Sequence, residues 1–202
     1  KGDYKKEFAV KKDMLHESPL LRMVHMHSVS GYARPLVVKT DINYFIHIYG
    51  VPDKGKSRIA ECSVSNECKP SIKEGNIAQL GSSKPGLESE IQDYNHGTFH
   101  LDEADCYTNK AVVLLQLLNG GGAIIRDTTS ENTDATKRRS YNVNFIMFSN
   151  NSLNTVFSDT DGKKSAVLSR GIEFDVLDEV FHKPNVLPIK FLEWNETLAD
   201  NY

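Results

Sequence analysis

Features that would place a protein outside the cell or in a membrane are scarce in this sequence. It has only three cysteines, Cys62, Cys68 and Cys106, an odd number without a CxxC pair, so neither a disulfide framework nor a zinc site is supported. No stretch approaches the roughly 18 consecutive apolar residues of a membrane-spanning helix, and no apolar segment follows the charged N-terminus. We therefore expect a reducing, intracellular setting and no membrane partner.

Net charge is also small, at −3 over 202 residues, so the field of the whole molecule indicates no particular partner. Any contact with nucleic acid must come from a local basic patch. Hydrophobic residues make up 39% of the chain, enough for one globular domain with a sizeable core. We expect a leader or linker over residues 1–17, a core over 18–182 and a C-terminal tail over 183–202, cut from a longer chain.

Strands that alternate with helices predict an α/β fold, with a mostly parallel central sheet flanked by helices. Predicted strands cover residues 43–49, 98–101, 144–148 and 172–177. Predicted helices run from Pro19, capped by Ser18, to about Gly31, over 85–94, and over 110–118 with a closing glycine run at 120–122. Residues 65–84 are expected to be irregular or weakly helical, and a β-hairpin is expected to start at 123–128, before the third strand.

Residues 50–57 (GVPDKGKS) match the phosphate-binding pattern G-x-x-x-x-G-K-[ST] and follow an apolar strand. Such a loop turns successive backbone N–H groups toward the phosphates, and glycine tolerates the required φ angles and close approach. Lys56 is expected to reach the β- and γ-phosphates of ATP and to act in catalysis, and Ser57 to bind Mg²⁺. A chance match in a glycine-containing turn is the alternative. The residues assigned to nucleotide binding are Gly50, Val51, Pro52, Asp53, Lys54, Gly55, Lys56, Ser57 and Arg58.

Hydrolysis also requires carboxylates at the end of a neighbouring strand, and Asp102 and Glu103 follow the strand at 98–101. We expect Asp102 to orient Mg²⁺ through its water shell and Glu103 to polarise the attacking water. A solvated acidic loop is the alternative, since Asp105 follows closely.

Two further positions suit ATP hydrolysis. The strand at 144–148 ends in Ser149-Asn150-Asn151, where Asn150, or else Asn151, would sense the γ-phosphate; a turn that simply closes the strand is the alternative. Arg170 precedes the last strand and would reach the γ-phosphate of a neighbouring subunit, unless it is an ordinary surface arginine.

A basic run, Lys137, Arg138 and Arg139, closes the predicted hairpin and would neutralise the phosphates of a threaded strand without reading its bases. Local charge balance against nearby acids is an equally good interpretation. The histidines in predicted helices and strands are interpreted as structural, because no spacing gives a metal site: His25, His27, His47 and His100.

In this order, the motifs resemble those of additional-strand P-loop ATPases, the AAA+ group, and in particular superfamily 3-like replicative helicases of viruses, phages and plasmids. The chain is also similar to helicase-like ATPases of mobile elements, through GVPDKGKS, Gly86-Leu87-Glu88, HLDEAD, Asn119-Gly120-Gly121 and Arg170. The likeness implies Mg²⁺-dependent ATP hydrolysis, a hexameric ring, translocation on single- or double-stranded DNA and work in the cytoplasm or at a viral or phage replication site. The charged Asp53 and Lys54 depart from the small residues usual in the loop.

The leading hypothesis is therefore the ATPase motor domain of a DNA helicase or translocase. A nucleotide-operated switch or scaffold, with protein partners and slow turnover, is the alternative from another class. A small-molecule phosphotransferase is disfavoured, because Asp102-Glu103 suits the activation of water better than that of a substrate hydroxyl.

Overall fold

The computed structural model describes residues 4–37, 43–52, 55–65, 77–79, 84–102, 114, 117–119, 121–124, 138–157 and 163–176. The elements are α1 (Tyr4–Glu17), α2 (Pro19–Val37), β1 (Phe45–Tyr49), α3 (Lys56–Val64), β2 (Ala78–Gln79), α4 (Lys84–Asp93), β3 (Thr98–Asp102), β4 (Gly121–Ile124), β5 (Arg138–Ser140), β6 (Asn144–Ser149), α5 (Leu153–Val156), α6 (Lys164–Leu168) and β7 (Gly171–Asp175).

The central sheet has five strands in the order β2-β3-β6-β1-β7, and neighbouring strands run parallel. A separate antiparallel pair, β4 and β5, lies between β3 and β6 in the chain. Strand β6 lies between β3 and β1, although it follows both of them in the chain. The predicted fold class is confirmed: a parallel central sheet is flanked by helices, and an antiparallel strand pair precedes β6 in the chain.

Each face of the sheet is covered by its own apolar cluster, because side chains alternate along the strands. On one face Ile46, Ile48 and Phe148 pack with buried residues of α1, α2 and α3. On the other face Phe45 and Phe145 pack with buried residues of α4, α5 and α6 and with helical residues 114, 117 and 118. Strand β6 is buried along its whole length, which explains its continuous apolar sequence.

Several local predictions need correction. Most of the segment expected as leader or linker forms α1, whose Met14 is buried and whose Lys11 ammonium donates to the Ser65 hydroxyl at 2.8 Å. Within 65–84 lies the short strand β2, because residues 78–79 pair with the end of β3. Gly121 belongs to β4, so the closing glycine run also opens a strand.

Helix α2 begins as predicted, since the Leu21 N–H donates to the Ser18 hydroxyl at 3.2 Å, but it does not end at Gly31. A Cβ at position 31 would lie 2.5 Å from the Gly97 carbonyl oxygen. Close approach to the backbone before β3 therefore explains this glycine, and helix termination does not. None of the helices in the described ranges is long and apolar enough to cross a membrane.

We predict that Gly31→Ala destabilises the protein, although alanine is the better helix former. The new methyl group meets backbone, which cannot move aside, and such overpacking costs about 1–3 kcal/mol. Urea unfolding would measure the change. Ala33→Gly, at an exposed site of the same helix, is the matched control. It should lower the free energy of unfolding by about 1 kcal/mol through helix propensity alone. A Gly31→Ala variant more stable than the wild type would contradict the close packing.

Three histidines, two on α2 and one within β3, favour the neutral form because they are buried or partly buried. Burial, followed by the nearby charge of His27, lowers the pKa of His100 to about 3. Burial likewise lowers the pKa values of His25 and His27 to about 4. In the unfolded chain the pKa of a histidine is about 6.5. Between that pH and the lowered pKa values, the unfolded chain binds more protons than the folded chain. The free energy of unfolding therefore falls as the pH drops through this window.

We therefore predict that the urea midpoint decreases as pH is lowered from about 6.5 to about 4, a window set by histidine titration. His100→Gln should weaken this dependence, because it removes the most buried of the three titrating groups. His16→Gln, at an exposed position of α1, should leave the dependence unchanged. Equal pH slopes for both variants would show that His100 does not carry the effect.

Candidate nucleotide site

The loop between β1 and α3, here called the phosphate loop after its sequence pattern, contains two glycines with positive φ angles. Gly50 and Gly55 have φ angles of 152° and 85°, in the region that favours glycine. A Cβ on Gly50 would also lie 3.0 Å from the carbonyl oxygen of Val176, so the space excludes larger residues. The two fixed glycines of the sequence pattern therefore stand where the backbone requires them.

Lys56 is the first residue of α3, and its ammonium group folds back toward the end of β1. It donates to the carbonyl oxygens of Gly50 at 2.6 Å and of Val51 at 2.8 Å. The N-cap of α3 is Gly55, so no N-cap side chain accepts from the first-turn N–H groups. A helix N-terminus with a lysine beside it favours an anion.

The ends of neighbouring strands bring further predicted residues to the same edge. Strand register aligns Leu101 of β3 with Met147 of β6, and Tyr49 of β1 with Ser149 of β6. Asp102, at the end of β3, and Asn150, just after β6, therefore lie at the carboxyl edge, where the phosphate loop leaves β1. Asp102 is partly buried and Asn150 is exposed.

Arg170 lies elsewhere. Gly171 of β7 pairs with Phe45 at the start of β1, which places Arg170 at the amino edge of the sheet. Its guanidinium donates to the Ala166 carbonyl at 2.9 Å. At about 3.3 Å per residue, the length of a strand separates it from the phosphate loop of its own chain. This position excludes a contact with the loop of the same chain and leaves two interpretations, an ordinary surface arginine or a contact with another molecule.

For the other residues that the sequence analysis assigned to nucleotide, metal or DNA binding, the structure gives fewer contacts. Ser57 is exposed in the first turn of α3. Arg58 forms an ion pair at 2.7 Å with Glu61, one turn further along the helix, which gives it a partner other than phosphate. Arg138 belongs to β5, and Arg139 follows it in the same strand. The remaining assigned residues lie outside the described ranges: Asp53, Lys54, Glu103 and Lys137.

In the parts of the chain that are described, no group of three or more His, Cys, Asp or Glu side chains could hold a metal ion. The Ser57 hydroxyl and the Asp102 carboxylate are oxygen ligands, the kind that a hard cation such as Mg²⁺ prefers. Mg²⁺ usually keeps several waters and takes its other ligands from a substrate phosphate.

Sequence reasoning missed the polar cluster of His47, Ser149 and Glu173 behind the loop at 149–153. The buried imidazole of His47 lies between the other two, with Nδ1 2.7 Å from a Glu173 carboxylate oxygen and Nε2 2.7 Å from the Ser149 hydroxyl. A polar residue inside the apolar run of β1 was the available signal, since a buried imidazole needs partners.

Comparison with solved structures shows the fold of a helicase domain. The chain is similar to the structure titled "SCCmec type IV Cch - active helicase", with a TM-score of 0.69 and 19% identity over 100% of this chain. It spans 36% of the length of that helicase. At this identity the likeness concerns the fold alone.

Two other structures are less similar. The apo C-terminal region of NrS-1 gives a TM-score of 0.45 at 14% identity, over 95% of this chain and 42% of that one. NtrX from Brucella abortus gives 0.39 at 14% identity, over 74% of this chain and 37% of that one. With TM-scores below 0.5, neither similarity supports a conclusion about this chain. No protein-family model and no curated protein matches the sequence.

Proposed function

We propose that this chain is the ATP-binding and ATP-hydrolysing motor domain of a superfamily 3-like DNA helicase or translocase, active in replication of a virus or mobile element. The observation that carries the proposal is the turn of Gly50 and Gly55 around the Lys56 ammonium, at the sheet edge where β3 and β6 also end. Similarity in fold to an active helicase supports it.

In this proposal each residue at the edge has a distinct role. Loop N–H groups and Lys56 bind the polyphosphate, and Ser57 with Asp102 holds Mg²⁺, which supplies positive charge beside the phosphates. Glu103 accepts a proton from the attacking water, and Asn150 orients that water or a phosphate oxygen. Arg138 and Arg139, with Lys137, contact the DNA backbone, a sequence-independent interaction.

We predict that Lys56→Ala lowers the ATPase rate by about a hundredfold or more, because it removes a cation aimed at the transferred phosphoryl group. Lys6→Ala, at an exposed site of α1, is the matched control and should keep the wild-type rate. Glu103→Gln should retain ATP binding but lose hydrolysis. A Lys56→Ala variant with the wild-type rate would rule out the site.

The same assay distinguishes the motor from the alternative. With single-stranded DNA added, a motor hydrolyses ATP faster, and Lys137→Ala should reduce this stimulation. A nucleotide-operated switch would bind ATP and turn it over slowly, with no response to DNA.

Because Arg170 lies at the edge away from its own phosphate loop, we predict that activity requires a neighbouring copy. Arg170→Ala and Lys56→Ala should each be nearly inactive, whereas a mixture of the two should recover part of the activity. In the mixture, an intact loop on one subunit meets an intact arginine on the next. No recovery on mixing, or a fully active Arg170→Ala variant, would exclude a role in trans.

A further inference from the structure

The segment with Asn150 is held at both of its ends by the partly buried carboxylate of Glu173, directly at its end and through His47 at its start. At its start, the Ser149 hydroxyl bonds to His47 Nε2, and His47 Nδ1 donates to Oε1 of Glu173. At its end, the Leu153 N–H donates to the same Oε1 at 2.7 Å. Ser149 ends β6, His47 lies on β1 and Glu173 lies on β7, so the cluster links three adjacent strands of the sheet.

The segment also has internal bonds that fix its path. The Ser149 hydroxyl donates to the Asn151 carbonyl at 2.5 Å, and the Thr155 N–H donates to the Ser152 hydroxyl at 3.2 Å, which caps α5. These bonds lie within the loop and set its shape. The contacts with Glu173 and His47 set its place against the sheet.

The carboxylate of Glu173 favours its charged form. Burial alone would raise its pKa, but hydrogen bonds from His47 and from the N–H groups of Leu153 and Asn154 more than offset this, so the pKa lies below the usual value. Hydrogen bonds to a charged acceptor are the stronger kind. A neutral amide at position 173 would keep the shape and weaken both attachments at once.

The same order of groups, carboxylate, imidazole and hydroxyl, occurs in hydrolases that use serine as a nucleophile. Here Ser149 is 3% exposed and His47 is 0% exposed, and the hydroxyl is directed at the Asn151 carbonyl. A substrate has no approach to the oxygen. The cluster is therefore suited to holding the loop in place.

We infer that Glu173 and His47 are positioning residues, which hold the loop at 149–153 so that Asn150 meets the γ-phosphate in the orientation that hydrolysis needs. This inference rests on the proposed ATPase function. Small displacements of a positioned group cost large factors in rate, whereas ATP affinity depends mainly on the loop around Lys56.

The test compares two buried hydroxyls that both bond to a buried histidine. Ser149 contacts His47 beneath the loop, and Ser63 contacts His100 on the other face of the sheet. Ser149→Ala and Glu173→Gln should lower kcat about tenfold to a hundredfold with little change in KM for ATP. Ser63→Ala, the matched control, should change only the melting temperature.

A double-variant cycle then shows whether Glu173 acts through Asn150. Once Asn150→Ala has removed the positioned amide, adding Glu173→Gln should cause no further loss of kcat. Losses that multiply would overturn the inference, and so would a Glu173→Gln variant with full kcat beside an impaired Asn150→Ala variant.

Hydrogen exchange provides a measurement that does not depend on activity. Glu173→Gln should speed exchange of the Leu153 amide while the amides of β1 stay protected. Unchanged exchange at Leu153 would refute the attachment itself. A wild-type protein without ATPase activity, but with faster Leu153 exchange in Glu173→Gln, would refute the proposed function and leave the attachment standing.

Discussion

The parallel register of β3, β6, β1 and β7 is the constraint on which the other features of this protein depend. Parallel strands end at one edge, so the loop after β1, Asp102 at the end of β3 and Asn150 after β6 lie at the same edge although they are distant in sequence. The same register sends Arg170 to the opposite edge. The register therefore separates the groups that we propose act on the chain's own nucleotide from Arg170, for which we propose a contact with another subunit.

Burial stabilises this register from both sides. A shift of one residue along β6 would exchange Phe145 and Met147 with Ile146 and Phe148, which pack in different clusters. The two buried histidines of the sheet also fix the register, because each needs a partner on its own face. His47 points toward one face and finds Glu173 and Ser149, whereas His100 points toward the other and finds Ser63. Each imidazole has a hydrogen-bonding partner that a shifted strand would not provide.

Local sequence signals predicted what local physics determines. Apolar runs indicated the strands, Ser18 and Pro19 indicated the start of α2, and the glycines and lysine of residues 50–57 indicated the turn before α3. Features that depend on distant contacts were not predictable. Helix α1 depends on packing and on the bond from Lys11 to Ser65, β2 depends on pairing with β3, and Gly31 is explained only by the backbone at Gly97. The contact of His47 with Glu173 spans 126 positions, with no sequence pattern to reveal it.

Strand β7 connects two parts of the molecule mechanically, Arg170 and the loop at 149–153. It begins beside Arg170, for which we propose a contact with another subunit, and three residues after Arg170 it carries Glu173, which accepts a hydrogen bond from the Leu153 N–H at the end of the loop at 149–153. A strand that is hydrogen-bonded to its neighbour is stiff along its axis, and three residues span only about 10 Å. In the proposed assembly, tension applied to Arg170 by a neighbouring copy would therefore be transmitted along β7 to the loop at 149–153.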